Sequence, residues 1–127
     1  MATPSPAQIW IGRALTGLSA FGLLASAGMK LSHSEEIVKN WETFGFPANT
    51  LTPIGVTELI ITVLSLIPAT RVLGLVLITG YLGGAIATHV HAGEGFAAPL
   101  ILALIAWGGL YLREPRLHSL LPIRKDG

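Results

Sequence analysis

Cysteine is absent from the 127 residues. Disulfides, thiolate metal sites, cysteine-ligated iron–sulfur clusters and thiol redox chemistry are therefore excluded within the chain. Charge is scarce as well. Asp, Glu, Lys and Arg make up 12% of the sequence, against about 25% in an ordinary soluble domain. The formal net charge is +1, which leaves no electrostatic case for nucleic acid and no basic stripe to bind phosphates. Hydrophobic residues, by contrast, reach 51%. A short domain buries only a modest fraction of its surface, so a soluble globule of this length has no room inside for so much apolar area. The surplus needs a second apolar phase, and a lipid bilayer supplies it.

A helix crossing the hydrocarbon layer needs about 20 mostly apolar residues. Four segments approach that length: "IWIGRALTGLSAFGLLASAGM" (9–29), "LTPIGVTELIITVLSLIP" (51–68), "VLGLVLITGYLGGAIATHV" (72–90) and "FAAPLILALIAWGGLYL" (96–112), the last a little short. Pro53 falls in the first turn of the second segment, Pro68 closes it and Pro99 opens the fourth. All three are positions where a missing N–H is tolerated. Pro115 and Pro122 mark an irregular tail. An open sheet would leave edge N–H and C=O groups unpaired in lipid, and the alternating strands of a barrel are missing. The expectation is one domain over 1–127, an all-α integral membrane four-helix bundle. Between the first two spans, "HSEEIVKNWETFGF" predicts a short interfacial helix anchored by Trp41 and Phe44.

Orientation follows from Lys and Arg near the spans. Arg113, Arg116, Arg124 and Lys125 crowd the tail and Arg71 sits in the 69–71 turn, whereas Lys30 and Lys39 are offset by Glu35, Glu36 and Glu42. Both termini are thus expected to be cytoplasmic. A competing reading takes "ALTGLSAFGLL" followed by "ASA" as a signal-peptide core with its cleavage site. It would leave three spans and move the N-terminus to the opposite side.

Polar groups within apolar spans are costly, and so they are informative. Glu58 lies near the middle of its segment, and Gly55, Glu58, Thr62 and Ser65 share one helical face. That stripe is expected to point into the bundle. Two readings of Glu58 stand side by side: a protonatable or ligand-contacting group, and an interhelical hydrogen bond. In the first segment Ser19, Gly22, Ser26, Lys30 and His33 share a face. Lys30 either snorkels to the outer interface or pairs with Glu58, from which it is offset by about one to two helical turns. Arg13 reads as an anchor for headgroup phosphates.

In the third segment Gly80 and Gly84 suggest a small-residue stripe for helix contact. His89 and His91 lie about 200° apart on a regular helix and cannot chelate one metal from it. They read either as polar caps of the helix end or, for His89, as a proton donor or ligand contact in the bundle mouth. Trp107 and Tyr111 fit an aromatic belt. No haem axial pair suggests itself, because His33, His89 and His91 gather at one side and His118 lies at the other.

"SAGMKL" at 26–31, "GVTEL" at 55–59 and "TGYLGGAIATHVHAGE" at 79–94, in a chain of this length and span number, resemble the DoxX-like family of small membrane proteins. The resemblance carries over to Lys30, Glu58, Tyr81, Thr88 and His89. It implies a membrane protein close to quinone or redox traffic, since a named branch is linked to small subunits of thiosulfate–quinone oxidoreductases. The fold also resembles sterol isomerase-like bundles that hold a lipophilic ligand. Three functions are therefore carried forward. The first is an accessory of a quinone-linked redox system, in a bacterial-type inner membrane, that holds a hydrophobic small molecule and works with a redox partner subunit or further copies of itself. There Glu58 and His89 would handle protons, and Tyr81, Thr88, Lys30 and His33 would contact the ligand, with Glu94 an outer member of the cluster. The second is a stand-alone acid/base isomerase or hydrolase acting on a lipophilic substrate. The third is a non-enzymatic binding or assembly protein.

Overall fold

The chain is seen in a computed structural model that describes residues 3–126. Helix α1 (Pro6–Ser32) is followed by α2 (Glu35–Thr43), a 3-10 turn at Ala48–Thr50, and α3 (Leu51–Leu66). Then come α4 (Arg71–His91), α5 (Ala97–Arg113) and a short α6 (Pro115–His118). Neighbouring long helices pack in a ring: α1 against α3 and α5, α3 against α4, and α4 against α5.

Local chemistry sets the ends. Ser5 and Gln8 form a reciprocal capping box at the start of α1, and Pro6 takes the first helical position. His33 closes α1 in the left-handed conformation, at φ 53°. Gly93, at φ 74°, ends α4, and the Glu94 N–H donates to the His89 carbonyl at 2.9 Å, as in a Schellman cap. Glu114 is extended ahead of Pro115, since a residue before proline avoids the α region. This stops α5.

α1, α3 with its leading turn, and α4 are long and apolar enough to cross a bilayer. α5 is apolar but has 17 residues, about 26 Å at helical rise against about 30 Å of hydrocarbon. Four spans were expected, the last a little short; among the described residues there are three helices of spanning length plus this shorter one. The glycine turn before α5 and Pro115 after it leave no room for more.

The bundle is apolar on its outside. Leu18, Phe21, Ile60, Leu73, Val76, Ile101 and Leu104 are all exposed, as a lipid-facing surface requires. Inside, Leu23, Ile61, Ile78 and Leu82 form one cluster, and Leu75, Ala106, Leu110 and Leu117 another. The stripe on α3 does turn inward: Gly55, Glu58 and Thr62 are buried and Ser65 is half-buried. Thr62 Oγ1 donates to the Glu58 carbonyl at 2.7 Å and Ser65 Oγ to that of Thr62 at 2.6 Å.

The end that carries both described termini is the tightly crossed one. A Cβ on Gly74 would lie 2.3 Å from the Ser65 backbone nitrogen, and one on Gly12 would lie 2.8 Å from the Gly109 carbonyl oxygen. Around these crossings Arg71 and Arg116 both bind the buried Glu114 carboxylate, a network that sequence reading did not foresee. Trp107 donates its Nε1–H to Thr79 Oγ1 at 2.7 Å, which links α5 to α4.

Two outcomes follow. Gly74→Ala should destabilise the bundle by about 1–3 kcal/mol through overpacking against rigid backbone. Gly83→Ala should not, because its Cβ would meet nothing within 4 Å; thermal unfolding in detergent compares the two. The Glu114 carboxyl is held down at about 2 by hydrogen bonds from Arg116 and then Arg71. Because its folded value is depressed, its contribution is complete above its ordinary value of 4.5 and is lost as pH falls from there toward about 2. Melting curves over that range should therefore show a steeper loss in the natural chain than in Glu114→Gln.

Candidate functional site

At the opposite end the long helices part, and α2 folds across the opening. The result is a chamber of about 640 Å³, within the range of small-molecule sites, about 300–1,000 Å³. Most of its wall is apolar: Met29 from α1, Ile37 and Trp41 from α2, Phe44 and Phe46 from the following loop, Ile54 from α3, and Pro99 and Leu102 from α5. Polar groups converge from α1, α3 and α4, namely Lys30, Glu58, Tyr81, Thr88 and His89.

The deepest polar feature is an ion pair. Lys30 Nζ lies 3.0 Å from Glu58 Oε1 and donates a second hydrogen bond, at 2.6 Å, to Ser26 Oγ one turn back on α1. The side-chain exposures are 17% for Lys30 and 2% for Glu58, so the carboxylate is the member that needs a partner. The axial offset is overcome by close approach. A Cβ on Gly55 would sit 3.2 Å from Lys30 Cβ, so the glycine lets α1 lean onto α3, and the lysine stem covers the remaining distance. Tyr81 stands beside the pair, its ring centroid 6.0 Å from Lys30 Nζ.

His89 Nδ1 lies 2.7 Å from the Ala85 carbonyl oxygen. A carbonyl only accepts, so Nδ1 carries a proton, and the tautomer this selects places its lone pair on Nε2. The Phe44 ring covers this imidazole, with centroids 5.1 Å apart. The Thr88 hydroxyl proton is committed to the Gly84 carbonyl, at 2.8 Å.

Of the residues singled out in the sequence, Lys30, Glu58, Tyr81, Thr88 and His89 meet in this chamber. His33 does not line it; its Nε2 lies 3.1 Å from Thr52 Oγ1 and its Nδ1 3.1 Å from the Leu31 carbonyl, tying the end of α1 to the start of α3. His91 and Glu94 are exposed. Helix α4 continues through His91, which keeps the two imidazoles apart.

One reading needs correction. Gly80 and Gly84 are not a helix-packing stripe: a Cβ on either would meet nothing within 4 Å, and both line the chamber. Their missing side chains make volume. Trp41 and Phe44, expected as interfacial anchors, also line the chamber. Trp41 is held there by a hydrogen bond from Nε1 to Thr50 Oγ1 at 2.8 Å and by stacking on Phe46 with centroids 4.9 Å apart. The sequence signal for this roof was the cluster of aromatics on a short amphipathic stretch, which an interface and a lid share.

The sequence profile of the DoxX-like family matches residues 14–109. The chain belongs to the DoxX-like family. No curated protein and no solved structure matches it. The matched stretch of this DoxX-like protein contains the ion pair, the glycine wall and His89. It is an integral membrane protein whose helices contact the bilayer.

Removing one member of a buried ion pair strands the other's charge. Lys30→Met should destabilise the protein by about 3 kcal/mol, and Lys30→Met combined with Glu58→Gln should recover most of that loss. Unfolding measured across the four members of this mutant cycle checks the coupling. Strictly additive effects would show that the contact contributes nothing.

Proposed function

We propose that this DoxX-like protein holds a hydrophobic small molecule bearing a hydrogen-bonding oxygen, a quinone being the leading candidate, as an accessory of a membrane redox system. One observation carries the reading: a buried ion pair faces an apolar chamber of about 640 Å³. Water-filled apolar space is unfavourable, whereas a ligand with an apolar body and one polar end suits both wall and pair. Lys30 and Tyr81 would donate to the ligand's oxygen, Glu58 would exchange protons with it, and Thr88 and His89 would bound it toward the mouth. The chain has no cysteine and no nucleotide-binding motif, so a partner subunit would supply electrons. In keeping with the Lys and Arg distribution, both termini face the cytoplasm of a bacterial-type plasma membrane, and the chamber opens toward the other side.

A second reading rests on His89. Its Nδ1–H is committed to Ala85, which leaves Nε2 as a base in the same chamber as the Glu58 carboxylate. Such a pair suits proton transfer on a lipophilic substrate without any electron partner.

The test is solvent extraction of protein purified in mild detergent, followed by mass spectrometry. A bound quinone supports the redox reading, and a terpenoid or sterol the acid/base one. Gly84→Leu, which projects a side chain into the chamber, should lower bound ligand at least tenfold while leaving the helix content unchanged. Glu58→Gln should lower occupancy and abolish any proton-dependent activity. An extract without a lipophilic molecule, together with no saturable binding of added quinone, would sink the proposal.

A further inference from the structure

A second, much smaller cavity lies at the opposite, arginine-rich end, among all four long helices. Its volume is about 20 Å³, and Thr16, Ser19, Ser65, Arg71 and Arg113 line it, with Ile78 among the apolar residues around them. The ligand chamber has no share in these groups.

The charges around this cavity do not balance. Arg71 binds Glu114 through a terminal nitrogen, but its Nε is buried without a hydrogen-bond partner among the described residues. Arg113 donates to Thr16 Oγ1 at 2.9 Å and to the Gly109 carbonyl at 3.3 Å, both neutral acceptors. The single carboxylate nearby, Glu114, is already shared between Arg71 and Arg116. Two guanidinium groups therefore flank the cavity with less than one negative charge between them. The start of α4 adds to the imbalance, because Thr70 supplies no side-chain cap and a helix N-terminus is partially positive.

Of the three hydroxyls, two have committed their protons to carbonyls and one has not. Ser19 Oγ donates to the Thr16 carbonyl and Ser65 Oγ to the Thr62 carbonyl. Thr16 Oγ1 accepts from Arg113, which leaves its own proton to give. A partly buried guanidinium that lacks a counter-charge is relieved by an anion or a pKa change, and arginine does not deprotonate in proteins. Hydronium and metal cations are repelled by the same two groups. A space of this size admits a single small ion and excludes phosphate or an organic acid.

We propose that this cavity binds one small monovalent anion of halide size between Arg71 and Arg113, with the Thr16 hydroxyl as a further donor. The ion completes the charge balance of α1, α4 and α5 where they meet, and its binding free energy adds to the stability of that end.

The experiment uses the whole protein in detergent, exchanged into gluconate buffer at constant ionic strength and titrated with sodium bromide. The expected result is a rise in Tm that grows with the logarithm of bromide concentration above Kd, about 5 °C at ten times Kd. Arg113→Gln should flatten that response. Because this variant also loses its bonds to α1 and so puts folding at risk, crystals of the natural chain soaked in bromide provide the second readout, an anomalous peak between Arg71 Nε and the Arg113 guanidinium. A Tm that follows ionic strength whichever anion is used, or bromide-soaked crystals without a peak at that position, overturns the proposal.

Discussion

A carboxylate in the middle of an apolar helix has few ways to exist. Glu58 meets that constraint through Lys30, and much of the bundle is arranged around their meeting. The lysine reaches Glu58 because Gly55 lets α1 lean onto α3. It is steadied there by Ser26, one turn earlier on its own helix. Losing the glycine would push the helices apart and separate the charges, so a residue without a side chain governs an electrostatic contact. Burial of this pair costs desolvation that its mutual attraction does not reliably offset. A well-packed apolar pair would make a simpler bundle, and the retention of charge at that depth is itself an argument for use.

The two ends of the molecule solve different problems. At the arginine-rich end, glycines on α1, α4 and α5 bring backbones into contact, and Glu114 gathers two guanidinium groups. At the other end the same kind of residue leaves space instead, and aromatic side chains from α2 and the loop after it form a roof. The helices that part around the chamber are therefore clamped at the end away from it. The ring packing also explains why α4 is central to the chamber: it contributes a small-residue wall, Tyr81 beside the ion pair, and His89 at the mouth.

Much of this was legible in the residues. Apolar run lengths placed the long helices to within three residues at each end, and the 3.6-residue spacing of Gly55, Glu58, Thr62 and Ser65 identified an inward face. Other features depend on how helices cross, which one segment's periodicity does not encode. The same spacing of small residues means close contact at Gly74 and open space at Gly84, and only the neighbouring helix decides between them. Arg71 and Glu114 are 43 positions apart and belong to stretches that read separately as topogenic charge and tail. His33 looked like a member of the polar cluster because it continues the stripe of Lys30. The left-handed turn at that residue ends α1, and its ring meets Thr52 of α3 instead.

The wall built by Gly80 and Gly84 has an evolutionary consequence. In most binding sites the residues that shape the cavity also hold the protein together, so a change of ligand risks the fold. Here each glycine could gain a methyl by a single-base change without meeting another atom. Cavity shape and global folding are therefore nearly independent variables along this face of α4. A lineage could change the shape of this chamber, one substitution at a time, with little consequence for stability.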